Sequence, residues 1–179
     1  MKKVLVIILL ILSINLSFAQ YIDSLQINEM KKVQWLVGKW KGEGWMMFGP
    51  EEKHTFSQTE TVTSKLNGIL LAIEGLGTVE ESKIIHNAFA VLSFDSANQK
   101  FVMRAHKAGG AFTEADAIVD DKGNFIWGFS HPYAGELRFT IKQNDKGQWY
   151  EIGEVSSDGG NSWFQNFELL LNKMEEKTN

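Results

Sequence analysis

Beyond residue 38 apolar and polar side chains alternate with a period of two, the repeat of a strand with one buried face. Ten such runs can be read: 40–48, 55–66, 69–76, 84–94, 100–107, 111–119, 124–129, 136–143, 148–156 and 163–172. Between them stand Gly49-Pro50-Glu51, Asn67-Gly68, Asp95-Ser96-Ala97-Asn98, Asp120-Asp121-Lys122-Gly123, Asn144-Asp145-Lys146-Gly147 and Asp158-Gly159-Gly160-Asn161. Asn-Gly and Asp-x-x-Gly tolerate the positive φ that tight hairpins require. In 55–63 the odd positions Thr55, Ser57, Thr59, Thr61 and Thr63 form a solvent-tolerant face, while Phe56, Gln58, Glu60 and Val62 point the other way. Phe125, Trp127 and Phe129 alternate with Ile126 and Gly128, and Leu137, Phe139 and Ile141 alternate with polar neighbours. The pattern predicts an all-β, up-and-down antiparallel barrel of eight to ten strands, because closure removes the exposed edges of so many consecutive hairpins.

One short helix precedes the strands. Met30, Val33 and Leu36 recur at three-residue spacing behind Asp23 or Ser24 as the cap, and Gly38 is the expected stop. The helix is expected to cap one end of the barrel. Trp35 through Gly44 then reads as a Gly-x-Trp step launching a first strand, with Gly42 and Gly44 permitting sharp coiling. There is no internal repeat or linker, so one domain is expected: an N-terminal segment over 20–38, a barrel over 39–174 and a tail over 175–179.

Residues 1–19 have the form of a secretory leader. Lys2 and Lys3 precede a nearly unbroken apolar run from Val4 to Leu16, and Ser17-Phe18-Ala19 offers a cleavage point before Gln20. An uncleaved membrane anchor is the alternative, but the run falls short of the roughly 20 residues of a span. No cysteine follows it, so a lipid anchor is not expected. The mature chain is expected to be bacterial and exported, periplasmic or secreted, with no stable membrane insertion after cleavage. Losing Lys2 and Lys3 takes the basic residues from 18 to 16 against 22 acids, so the net charge falls from -4 to -6. That balance gives no electrostatic case for nucleic acid. Without cysteine there are no disulfides, thiol nucleophiles or thiolate metal sites. Stability must come from packing, which six Trp and twelve Phe are suited to supply.

The opening Leu36-Val37-Gly38-Lys39-Trp40-Lys41-Gly42-Glu43-Gly44 resembles that of lipocalin-like barrels of the calycin superfamily, and more closely an uncharacterised family of exported bacterial lipocalin-like domains. Leu66-Asn67-Gly68-Ile69-Leu70, Leu92-Ser93-Phe94-Asp95 and Ser157-Asp158-Gly159-Gly160-Asn161-Ser162-Trp163 fit the same picture. The resemblance runs from about Met30 to Lys173. It implies a barrel with an interior and lends no agreed activity. Heme-binding barrels of the nitrobindin type open similarly, and there a histidine near the final strand ligates the iron. Trp163-Phe164-Gln165-Asn166-Phe167-Glu168 carries no histidine, so that ligand is missing at the position the resemblance implies.

The candidate chemistry is sparse. Ser156-x-Asp158-x-Gly160-x-Ser162-Trp163 matches the Asp-box hairpin of propellers, but a propeller repeats it and this chain has one copy, so it reads as a stabilised turn. His54, His86, His106 and His131 are not spaced as metal pairs. Gly128-Phe129-Ser130-His131-Pro132 lacks the last glycine of a nucleophile elbow. Arg104 and His106 share a strand face. Turned inward, they would hold a carboxylate or phosphate; in the opposite parity Phe101, Met103 and Ala105 fill the core and both face solvent. Glu60 lies on an otherwise apolar face and needs a partner or a proton if buried. Trp40, Trp45, Trp127 and Trp149 are either core or pocket wall.

These readings lead to a non-enzymatic barrel holding a small apolar or amphipathic ligand, without cofactor or metal. Trp127, Phe129 and Phe139 would form the wall and Glu60, Arg104 and His106 would orient a head group. A small isomerase or hydrolase using His106 with Glu60 is the alternative, and heme or tetrapyrrole binding a further one.

Overall fold

The computed structural model describes residues 23–49, 52–80 and 83–175. The expected leader at 1–19, the tail from 176 and the turn at Pro50 and Glu51 lie outside the described residues. Helix α1 (Ser24–Lys31) leads through a 3-10 turn (Gln34–Leu36) into ten strands: β1 (Gly38–Met46), β2 (His54–Lys65), β3 (Leu70–Val79), β4 (Lys83–Asp95), β5 (Lys100–Lys107), β6 (Phe112–Val119), β7 (Phe125–His131), β8 (Gly135–Gln143), β9 (Trp149–Ser156) and β10 (Phe164–Lys173). Each strand pairs with its sequence neighbours, and β1 pairs with β10 to close the barrel. All ten runs read from the alternation are strands, and the antiparallel up-and-down barrel is as expected.

The Asp23 carboxylate caps α1, accepting from the Gln26 amide at 2.9 Å. The expected continuous helix through Leu36 instead ends at Lys31. Val33, at φ −110°, leaves the helical region and the chain re-forms as the 3-10 turn. The break does not spoil the apolar stripe: Met30, Val33 and Leu36 are all fully buried. They plug the end of the barrel where β1 begins. Trp35, Trp40 and Trp149 meet edge-to-face there, with ring centres 5.9–6.3 Å apart. The Trp40 indole N–H donates to the Leu36 carbonyl at 2.7 Å, tying the plug to the first strand.

Closure depends on how near β10 comes to β1. A Cβ on Gly42 would overlap the Leu170 carbonyl oxygen, and one on Gly44 would overlap that of Glu168. Only glycine admits this approach. The wall is least tightly joined between β6 and β7, where three residue pairs are in register: Ala117 with Trp127, Ile118 with Ile126 and Val119 with Phe125. Outside this seam, a shallow groove of about 580 Å³ crosses the wall, with Ile118, Ile126, Arg138 and Trp163 along it.

At the far end from the helix, the Asp-box residues form one hairpin turn. Asp158 accepts from the Ser162 amide at 2.9 Å and the Ser162 hydroxyl at 2.6 Å, and the Ser156 hydroxyl donates to it at 2.7 Å. These bonds hold the Asp158 carboxyl down to about 2. The Trp163 indole donates to the Gly160 carbonyl at 3.0 Å, so the motif is a turn device, as its single copy suggests.

The β1–β10 approach predicts an asymmetry between glycines. Gly42→Ala should cost roughly 2 kcal/mol or more through backbone overlap. Gly49→Ala, where a Cβ meets nothing within 4 Å, should change stability by less than about 0.5 kcal/mol. Urea melts of the two variants measure the difference, and equal costs would show that the β1–β10 approach is not the constraint.

Candidate functional site inside the barrel

Burial of the inward-facing side chains changes along the barrel axis. At the helix end Trp40, Leu71, Leu92, Phe125 and Leu171 are fully buried. Toward the opposite end Phe56 is buried, but Met46, Ala105, Trp127, Phe129, Phe139 and Phe167 are only part-buried although they share the inward parity of their strands. The interior, called the cup below, is thus floored by the tryptophan cluster and more accessible at the end away from α1. Exposed apolar side chains surround the opening: Phe48, Ile84, Phe112, Tyr133 and Phe164, each at the tip or foot of a different hairpin.

The wall of the cup is aromatic. Trp127 stacks on Phe139 at 4.6 Å and on Phe129 at 5.9 Å, and Phe139 meets Phe167 edge-on at 5.9 Å. Phe56 continues the row beside Phe167. The buried Trp127 indole N–H has no hydrogen-bond partner among the described residues.

Above the tryptophan floor stand three polar side chains. Glu60 on β2 is 9% exposed, Gln58 two residues away 4%, and Glu151 on β9 8%. Glycines on β3 make room for the first two. The Glu60 Oε1 lies 2.7 Å from where a Cβ of Gly75 would be, and the Gln58 Oε1 2.6 Å from that of Gly77. The Gln58 amide donates to Glu60 Oε1 at 2.6 Å, and the Trp149 indole donates to Glu151 Oε2 at 3.1 Å. No ion pair among the described residues involves either acid. Of the inward-facing neighbours, Trp40, Gly42, Gly75, Ile141, Leu169 and Leu171 are uncharged, and Lys173, opposite Trp40, is exposed with its ammonium 5.1 Å over the Trp40 ring. Burial without a counter-charge favours the proton: it pushes Glu60 up to about 8, helped by repulsion from Glu151, and Glu151 up to about 7. Nearer the opening, burial and the neighbouring Lys107 charge push His86 on β4 below the usual imidazole value.

The residues singled out from the sequence divide into two groups. Glu60, Trp127, Phe129 and Phe139 share the interior. Arg104 and His106 do not join them, because Phe101, Met103 and Ala105 take the inward parity of β5. Arg104 is exposed and pairs with Glu114 at 2.7 Å, while His106 packs its ring against Phe112 on the outer wall. The Glu60–Arg104 anchor and the Glu60–His106 acid–base pair are thus not formed, since the partners lie on opposite faces of the sheet. Trp45 also faces outward, under Lys53 and donating to Glu168 at 3.3 Å. Sequence reasoning missed Glu151. Its signal was its shared parity with Trp149, Gly153 and Val155, three positions that all turn inward. Among the described residues no group of three His, Asp or Glu could hold a metal ion.

Comparison with known proteins supports the architecture. A family model described as "Protein of unknown function (DUF1579)" matches residues 27–106, the stretch from α1 through most of β5, which includes Gln58 and Glu60. A search of the curated proteins finds no match. The crystal structure of Rv2717c from M. tuberculosis superposes with a TM-score of 0.59 at 10% identity, covering 82% of this chain and 98% of that one. At that identity the likeness concerns the fold.

The raised carboxyls predict a stability that depends on pH. Both have ordinary values near 4.5 in the unfolded chain. As pH rises from about 4.5 to 8, the unfolded chain releases protons that the folded barrel retains, so stability is greatest below this window and falls through it. Glu60→Gln should flatten the decline by about 1 kcal/mol per pH unit. Urea denaturation at intervals from pH 5 to 8 tests this; a parent protein that gains stability over the same range would mean the acids are ionised in the folded state.

Proposed function

We propose that the chain is an exported, lipocalin-like carrier that holds a small apolar or amphipathic molecule in its barrel and performs no chemistry on it. The observation that carries this reading is the burial gradient: a closed, plugged floor beneath an aromatic wall that becomes accessible toward one end. Ten strands make a wider barrel than the eight of lipocalins, and barrels near this size enclose about one small ligand. Trp127, Phe129 and Phe139 supply apolar contact, and Glu60 with Gln58 and Glu151 supplies the few convergent polar groups that orient a bound molecule. The exposed apolar rim suits a ligand that passes from an apolar source into the cup. The apolar leader supports an exported location.

A second reading has one observation in its favour. A protonated Glu60 beside a second acid is suited to general acid catalysis. The two readings differ in what happens to the bound molecule, which an enzyme would return altered.

Organic extraction of the purified protein followed by mass spectrometry should yield one lipid-like compound at near-stoichiometric amount. The neutral dye Nile red should gain fluorescence in the emptied barrel. Ala105→Trp, which fills the cup from an inward-facing position, should weaken dye binding by about tenfold or more. Empty extracts together with no dye response would contradict the carrier reading.

A further inference from the structure

We propose that the cup selects molecules whose polar end is a protonated amine, seated between Glu60, Glu151 and Gln58. This deepens the carrier reading and rests on it. The three side chains present more acceptors than the protein satisfies. Glu60 uses Oε1 for the Gln58 amide and Glu151 uses Oε2 for the Trp149 indole, while Glu60 Oε2 and Glu151 Oε1 make no hydrogen bond among the described residues.

Gln58 points to a ligand independently of the acids. Its side chain is 4% exposed, and among the described residues it donates to Glu60 while its carbonyl oxygen, over Gly77 in the interior, accepts no hydrogen bond. That oxygen is an acceptor open to a donor. Three acceptors are thus open in one region, and a primary ammonium brings three N–H donors. It also brings the positive charge that the two acids lack.

The charge distribution excludes the opposite head group. An anion would stand beside two acids, and the lysine at that end, Lys173, is exposed and lies over the Trp40 ring. Arg104 and Arg138 are paired with Glu114 and Glu154 on the outer wall, and Lys100 is paired with Asp116 there. His86 and Lys107 belong to the open end of the cup and face the part of a ligand farthest from the floor. Once an ammonium is seated, one of the two acids releases its proton to the solvent and forms a charge-assisted hydrogen bond with it, while the other keeps its proton, so the site stays neutral. The aromatic wall receives the alkyl or aryl remainder.

Calorimetric titration of the full protein at pH 8 with dodecylamine, dodecanol and dodecanoic acid, all below their aggregation thresholds, tests the inference. Dodecylamine should bind at least about tenfold more tightly than dodecanoic acid, with dodecanol between them. Glu60→Gln combined with Glu151→Gln should remove the preference, so that amine and alcohol bind this variant with equal affinity. Dodecanol binding with no preference for the amine overturns the amine assignment and leaves the carrier reading standing. Binding of none of the three overturns both. Tighter binding of the acid than of the amine to the unmodified protein overturns the amine assignment whether or not the double variant folds.

Discussion

The approach of β10 to β1 along Gly42 and Gly44 is the constraint on which the rest of the molecule depends. A sheet of ten consecutive hairpin-linked strands exposes two edges until its first and last strands meet, and here they meet so closely that a Cβ on either glycine would overlap a β10 carbonyl. Closure turns one face of each strand into an interior. Trp40 stands at the start of the same strand, so its indole and the plug of Met30, Val33 and Leu36 are placed at one end by the geometry that closes the wall. The Gly-x-Trp opening thus performs two tasks, sealing the seam and flooring the cup.

Toward the end away from the helix the inward-facing side chains are less completely buried than at the tryptophan floor. The polar residues that the pattern turns inward lie between these two levels. Glu60 and Glu151 sit too deep for full hydration and have no cation, so the proton takes the place of a partner. Replacing such groups with Leu or Met would satisfy packing without this cost. Keeping Glu60, Glu151 and Gln58, with Gly75 and Gly77 making room for the Glu60 and Gln58 side chains, is the arrangement expected of a binding site, where local rules of stability are relaxed.

Much of the fold was legible because the strand period is unambiguous when turns are written in Asn-Gly and Asp-x-x-Gly. The inward placement of Phe56, Gln58, Glu60 and Val62 followed from alternation with the threonine face of β2. What alternation alone did not decide was parity in short strands whose two faces look alike. On β5, Lys100, Arg104 and His106 alternate with Phe101, Met103 and Ala105, and the apolar set took the interior because burying an arginine without a partner costs far more than exposing Ala105. On β9, Tyr150 and Ile152 compete as core residues with Trp149 and Val155. The large indole won the floor position and carried Glu151 inward with it. The helix ended early for a local reason: β-branched Val33 departs from helical φ, yet its side chain still reaches the plug.

The most direct test of a ligand-poised interior is the ionisation of the two acids themselves. With the glutamates labelled in their side-chain carboxyl carbons, nuclear magnetic resonance titration of the ligand-free protein should show Glu60 and Glu151 changing chemical shift near pH 8 and pH 7. Midpoints for Glu60 and Glu151 near 4.5, the value of a free side chain, would mean that the carboxyls are fully hydrated or already paired, contradicting a cup that holds them buried without a counter-charge.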